Sequence, residues 1–248
     1  MTVRRLHNVF LLFAALVGCS PTSEVMVQGS VAASRDTPKL PMQGGQIEIR
    51  EDDGSLYDSA SIASDGAFSI RAPMGSDIFA TVSSAEHVAA SFTGVSGFAT
   101  VFEVEEGSLF AVSQTEWAQW REQFEGCPGV DSAGAGIIGE VRMSTLLDSE
   151  TGEAPIVTTA MPLAEDLDGV VYTTCFLDEE GMLYEPLAES TGASGVFAIF
   201  GLPEGFVVID LKYQIIDDVF YVRSIPLWAP KDGVVPLFPA WVEFPFDQ

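Results

Sequence analysis

Apolar and polar residues alternate over short stretches of this chain, and glycine, proline and aspartate separate the stretches. Gln46-Ile47-Glu48-Ile49-Arg50 and Phe68-Ser69-Ile70-Arg71 place every second side chain on one face, the period of a half-buried β-strand. Asp52-Asp53-Gly54 and Ser64-Asp65-Gly66 supply the turn residues between them. One segment has helical spacing instead. Ser113-Gln114-Thr115-Glu116 reads as a capping box, and Trp117, Trp120 and Phe124 follow three and four residues apart, on one helix face. Gly126 and Pro128 stop that helix, so the spacing predicts it over Gln114 to about Glu125, with its aromatic face packed on a sheet. Everything else predicts an all-β protein.

The strand pattern occurs twice. Gly66-Ala67-Phe68-Ser69-Ile70, Pro73-Met74-Gly75 and Ile78-Phe79-Ala80-Thr81-Val82 match Gly195-Val196-Phe197-Ala198-Ile199, Pro203-Glu204-Gly205 and Phe206-Val207-Val208-Ile209-Asp210-Leu211. Upstream, Val27-Gln28-Gly29-Ser30-Val31 parallels Ile137-Ile138-Gly139-Glu140-Val141. The spacings differ, which indicates two related modules rather than a tandem array.

The string V-x-G-x-V … G-x-F-x-I-x-x-P-x-G resembles carboxypeptidase regulatory-like domains, of the transthyretin-like (prealbumin-like) β-sandwich group. The first copy matches from about Val25 to Val104, the second from Ile137 to about Tyr213, with an acidic excursion at Leu146 to Glu153. The resemblance implies two Greek-key β-sandwich domains joined by one short helix. Such domains often sit beside metallo-carboxypeptidase domains. This chain lacks the length and the His ligands for one, so the resemblance implies an accessory or binding module.

The N-terminus changes the picture. Arg4 and Arg5 precede a nine-residue apolar run, Val9 to Val17, too short to span a bilayer but of signal-peptide length. Leu16-Val17-Gly18-Cys19 then resembles the bacterial lipobox, which implies diacylglycerol on the Cys19 sulfur and cleavage before it. Ser20, rather than Asp, follows the cysteine, as in the outer-membrane sorting pattern of Gram-negative lipoproteins. The expected organisation is therefore a signal peptide at 1–18 and a lipidated tether at 19–24. A first sandwich at 25–112, a helix and linker at 113–136 and a second sandwich at 137–248 follow.

Charge narrows the partners. The chain has 248 residues with 11 Lys+Arg against 36 Asp+Glu, a formal net charge of −25. Loss of residues 1–18 leaves 9 basic and 36 acidic residues, a net of −27. Nucleic acid is excluded as a partner, because phosphate binding needs a Lys/Arg surface. Membrane contact is expected through lipid on Cys19 rather than through the folded surface. Cys127 and Cys175 remain as an even pair in an oxidising compartment and are expected to form a disulfide. Its 49-residue loop would contribute roughly 4 kcal/mol through loop-closure entropy.

Catalytic chemistry has little to draw on. The mature chain has one histidine, His87, between short runs of Ala and Ser, and no GxSxG elbow. Zinc sites usually take several His or Cys ligands, so no metal, cofactor or catalytic residue is expected. Acidic turns at Glu51-Asp52-Asp53, Glu165-Asp166-Asp168, Asp178-Glu179-Glu180 and Asp217-Asp218 lack EF-hand spacing and read as solvated charge. The C-terminal stretch holds Trp228, Phe238, Trp241, Phe244 and Phe246 among prolines. Trp228 and Trp241 are the candidate ligand contacts, able to stack on sugar rings, unless these aromatics fill the sandwich. The expectation is a non-catalytic, lipid-anchored envelope protein binding or scaffolding a surface protein or glycan. The alternatives are a carbohydrate-binding module and, third, a cryptic hydrolase.

Overall fold

The computed structural model describes residues 24–51, 53–96, 101–143, 156–216 and 219–242, with the backbone alone at 215, 216, 219 and 240–242. Cys19, Asp52, the excursion at 146–153, Asp217-Asp218, Phe244 and Phe246 lie outside the described residues. The chain begins with strands β1 (Glu24–Ser30), β2 (Gly45–Arg50), β3 (Leu56–Ile62), β4 (Ala67–Pro73) and β5 (Asp77–Ser83). It continues with β6 (His87–Val88), β7 (Ala90–Val95), β8 (Val101–Glu103) and β9 (Val112–Ser113). β1 lies between antiparallel β4 and parallel β8. β3, β2, β5 and β7 follow one another in antiparallel pairs. Alternation brings these two layers together. Val25 and Val27, Ile47 and Ile49, Phe68 and Ile70, and Ile78, Ala80 and Val82 sit two residues apart on their strands and form one buried cluster.

A helix, α1 (Gln114–Gln123), leads into β10 (Ala135–Met143), β11 (Met161–Asp166), β12 (Val171–Tyr172) and β13 (Thr174–Phe176). Four further strands follow: β14 (Val196–Leu202), β15 (Gly205–Ile216), β16 (Val219–Ala229) and β17 (Val234–Val242). Their arrangement repeats the first. β10 lies between antiparallel β14 and parallel β17, as β1 does between β4 and β8. The order β12-β11-β15-β16 matches β3-β2-β5-β7. The sequence repeat falls on corresponding places, with Gly29 opposite Phe68 and Gly139 opposite Phe197. The Val31 N–H donates to the Gly66 carbonyl at 2.9 Å, and the Val141 N–H to the Gly195 carbonyl at 2.9 Å.

Packing explains the paired Gly and Phe. A Cβ at Gly139 would come within 2.7 Å of the Phe197 ring and 3.0 Å of the Leu237 Cβ. At Gly29 it would come within 3.3 Å of the Phe68 ring and 3.0 Å of the Val104 Cβ. In each copy the ring lies over the bare glycine backbone, so the motif is a packing unit.

The sequence predicts a helix and linker between the sandwiches; the structure adds a shared sheet. Val234 of β17 pairs in parallel with Ala90 of β7, which makes one eight-stranded sheet ordered β13-β14-β10-β17-β7-β5-β2-β3. Gly233 permits the approach, since a Cβ there would lie 2.2 Å from the Ala89 carbonyl oxygen. The second sandwich also covers the outward face of the first. Phe79 points away from the Ile78/Ala80/Val82 side of β5 yet is fully buried, edge-on to Phe206 with ring centroids 5.8 Å apart. The Thr93 hydroxyl donates to the Pro226 carbonyl at 3.0 Å across the same seam. Burial on both faces is why Ile78–Val82 is apolar on both sides apart from Thr81, itself buried.

The helix begins as its capping box requires, with the Ser113 hydroxyl accepting from the Glu116 N–H at 3.0 Å. Burial pushes the Glu116 carboxyl above its ordinary range, against a lowering hydrogen bond from the Ser113 backbone. The helix ends at Gln123, two residues before Glu125, because Phe124 already caps it and Gly126 takes φ +88°. Trp117 and Phe124 pack on Phe200, each with centroids 5.9 Å apart, and Trp120 packs on Phe238 at 5.7 Å. The glycine-rich stretch after the helix is held rather than loose. The Gly134 N–H donates to Asp232 at 3.1 Å, and β10 already begins at Ala135.

Candidate functional site

Cys127 and Cys175 are joined in a disulfide with Cα atoms 6.1 Å apart. Both are buried in a separate apolar cluster with Trp117, Phe124, Val130 and Phe200. The bond therefore ties the chain just past α1 to β13. An ion-paired seam lies nearby, where Glu140 of β10 is largely buried between Arg142 and Arg35, the latter 3.6 Å away. The Arg35 guanidinium sits 4.2 Å from the centre of the Phe238 ring. These contacts link the loop after β1 to the second sandwich.

His87 has a partner other than an acid. Its Nδ1 lies 2.8 Å from the Ser84 hydroxyl, which also accepts the Glu86 N–H at 3.2 Å. The hydroxyl has one proton to donate and two lone pairs, so it can serve both groups at once. Short β6 holds the imidazole by pairing with β9 (His87↔Ser113, Val88↔Val112). The ring lines an open groove of about 720 Å³ together with Gln43, Gln46, Ser61, Ser83 and Ser84. Strand register assembles these residues: Gln46 of β2 lies between Ser61 of β3 and Ser83 of β5.

Trp228 stands at the seam between the sandwiches. It is half-buried, with the Arg50 guanidinium 4.7 Å from its ring centre. Gly54 in the β2–β3 turn faces the same ring so closely that a Cβ would lie 2.2 Å from it. Trp241 pairs through its backbone with Arg142, and its side chain lies outside the described residues. The two tryptophans are thus on different sheets, β16 and β17.

Three of the acidic turns each use one carboxylate internally, through Asp53, Asp166 and Asp178. Asp166 accepts the N–H groups of Asp168 at 3.0 Å and Val170 at 2.9 Å on one oxygen and the Tyr172 hydroxyl at 2.8 Å on the other. The Val170 N–H, then the Tyr172 hydroxyl, hold the Asp166 carboxyl below its ordinary range. Burial, reinforced by Asp166, pushes the Tyr172 phenol up to about 12. Asp53 likewise accepts from the Ser55 N–H at 2.8 Å, and Asp178 from the Met182 N–H at 2.7 Å. These are side-chain-closed turns. Among the described residues no three His, Cys, Asp or Glu gather as a metal site.

Sequence reasoning singled out Cys127 and Cys175, which the structure brings together, and His87, which it sets in a groove not anticipated. Gln43, Gln46, Ser61 and Ser83 carry no motif; the Gly44-Gly45 pair at the start of β2 is the nearest signal.

By its strand order the chain is a duplicated all-β sandwich. No protein-family model matches its sequence. No curated protein matches it either. Among solved structures it is similar to the minor pilin GBS52 of Streptococcus agalactiae at 11% identity and TM-score 0.28, covering 91% of this chain and 98% of that one. It is similar to a streptococcal ancillary pilin at 11% identity and TM-score 0.28, covering 90% of this chain and 62% of that one. It is also similar to the Bacillus anthracis TIE protein at 10% identity and TM-score 0.28, covering 89% of this chain but only 34% of that one. This chain therefore spans about a third of the TIE protein chain.

Proposed function

We propose that this protein is a non-catalytic lipoprotein of the cell envelope, held by acylated Cys19 in the outer membrane of a Gram-negative bacterium. Its paired sandwiches bind or scaffold a surface protein or glycan. The observation that carries the anchor is the order of Arg4-Arg5, the apolar run Val9–Val17 and Leu16-Val17-Gly18-Cys19. Two or more acyl chains make anchoring stable, at about 0.8 kcal/mol per buried CH₂. Ser20 to Glu24 reach at most roughly 17 Å when extended, so the body stays near the bilayer while its charge keeps it off anionic headgroups. The Cys127–Cys175 disulfide suits an oxidising compartment. The shared sheet and the Phe79/Phe206 seam suit a rigid two-module scaffold. The V-x-G-x-V and G-x-F-x-I motifs, on corresponding strands, support reading each module as carboxypeptidase regulatory-like.

Metabolic labelling with an alkyne palmitate tests the anchor. Label is expected on the wild type and absent from Cys19→Ala, which should leave the membrane fraction. Label that persists in Cys19→Ala overturns lipidation at that residue.

A further inference from the structure

We propose that the groove beside β6 is a binding site for a neutral polyhydroxylated ligand, an oligosaccharide. The inference deepens the reading above and rests on its binding role. Six polar side chains line the groove: Gln43, Gln46, Ser61, Ser83, Ser84 and His87. Its volume of about 720 Å³ lies within the ~300–1,000 Å³ of ordinary ligand sites.

The chemistry removes the other ligand classes in turn. An anion would need Lys or Arg, and the groove is lined by neither. A cation would need several oxygen anions, and Glu86 is the one carboxylate there, although the chain carries 36 acids. An apolar ligand would need an apolar wall, and Ala85 is the one apolar side chain. A peptide adding as a strand would need a free edge. Gln46 and Ser83 lie on strands paired on both sides, β2 between β3 and β5 and β5 between β2 and β7, so of these floor strands β3 alone has an edge to offer. What remains is a set of amides, hydroxyls and one imidazole, which both donate and accept, as sugar hydroxyls do.

The site is also held in place. His87 is oriented by Ser84, and the rim loop is pinned where the Met42 N–H donates to the Val31 carbonyl at 2.9 Å. Gly44 takes φ +78° and has nothing nearer than 4.0 Å where a Cβ would sit, so a ligand can approach the backbone. Among the described residues the side-chain amides of Gln43 and Gln46 have no hydrogen-bond partner, so a ligand engaging those two groups displaces no internal bond.

The test is calorimetry on the full-length lipoprotein in detergent micelles, titrated with chitohexaose, maltohexaose and cellohexaose. At least one is expected to bind saturably, and the Gln43→Ala/Gln46→Ala pair and His87→Ala should each weaken it at least tenfold. All three residues are at least partly exposed, and unchanged circular dichroism verifies folding. Failure of all three sugars to bind overturns the proposal, as does binding that survives these substitutions but is lost in Trp228→Ala. Palmitate labelling is read separately, so a labelled protein that binds none of the sugars sinks the groove and leaves the anchor standing.

Discussion

Replacing Phe79 with alanine tests the joint between the two sandwiches. Phe79 lies on the side of β5 opposite the core residues Ile78, Ala80 and Val82, where an isolated sandwich would meet water. In the assembled chain it is 0% exposed and meets Phe206 at 5.8 Å, nearly perpendicular. A solvent-facing substitution would change stability by no more than ~0.5 kcal/mol. A fully buried Phe→Ala costs about 3–5 kcal/mol, of which the aromatic pair accounts for ~0.5–1.5. For a chain of this size that lowers Tm by roughly 6–20 °C. Urea unfolding of wild type, Phe79→Ala, Phe206→Ala and the double variant gives the cycle. We expect a coupling of ~0.5–1.5 kcal/mol between the two rings. A single-variant cost under ~1 kcal/mol, or two strictly additive losses, would refute the seam as the reason for the burial of Phe79.

Removing the disulfide as Cys127→Ala/Cys175→Ala should cost about 4 kcal/mol, because the bond closes a loop between residues 48 apart. Thermal unfolding with and without reductant measures it, and a loss below ~1 kcal/mol would mean the unfolded chain gains little from release. The Asp166–Tyr172 contact should appear in pH titrations. Tyr172 is expected to ionise near 12, so its share of stability is complete below the ordinary phenol range and is lost as pH rises through about 12. Asp166 is depressed, so its share is present above the ordinary carboxylate range and is lost as pH falls through the lowered value. Absorbance titration of tyrosinate in Asp166→Asn should move Tyr172 back toward 10, the ordinary phenol value. An unmoved midpoint would reject the coupling.

Local chemistry was legible wherever neighbours along the chain settle the conformation. Alternation over 46–50 and 68–71 marks strands because a two-residue period needs no partner to be read. Ser113 marks the helix start because a cap bonds within one turn. The repeat of Gly29 and Phe68 by Gly139 and Phe197 shows in the residues themselves, since both copies need the same bare backbone under the same ring. The parity of Cys127 and Cys175 anticipated their bond without showing where it lies.

Tertiary structure alone decided what each buried face meets. Apolar residues at both Phe79 and its neighbours Ile78 and Ala80 say that both faces are covered; only the fold names Phe206 as the cover of Phe79 and sets Pro226 against Thr93. The sequence offered Trp228 as a ligand platform or as a packing residue; the fold sets it against Arg50 and Gly54. The groove is the extreme case. Gln43, Gln46, Ser61, Ser83 and His87 span more than forty positions, and antiparallel register is what brings them together. Periodicity reports whether a side chain leaves water, since that depends on its own chemistry and its neighbours in the chain. The identity of its partner depends on residues far away in sequence, and only the closed fold fixes those distances.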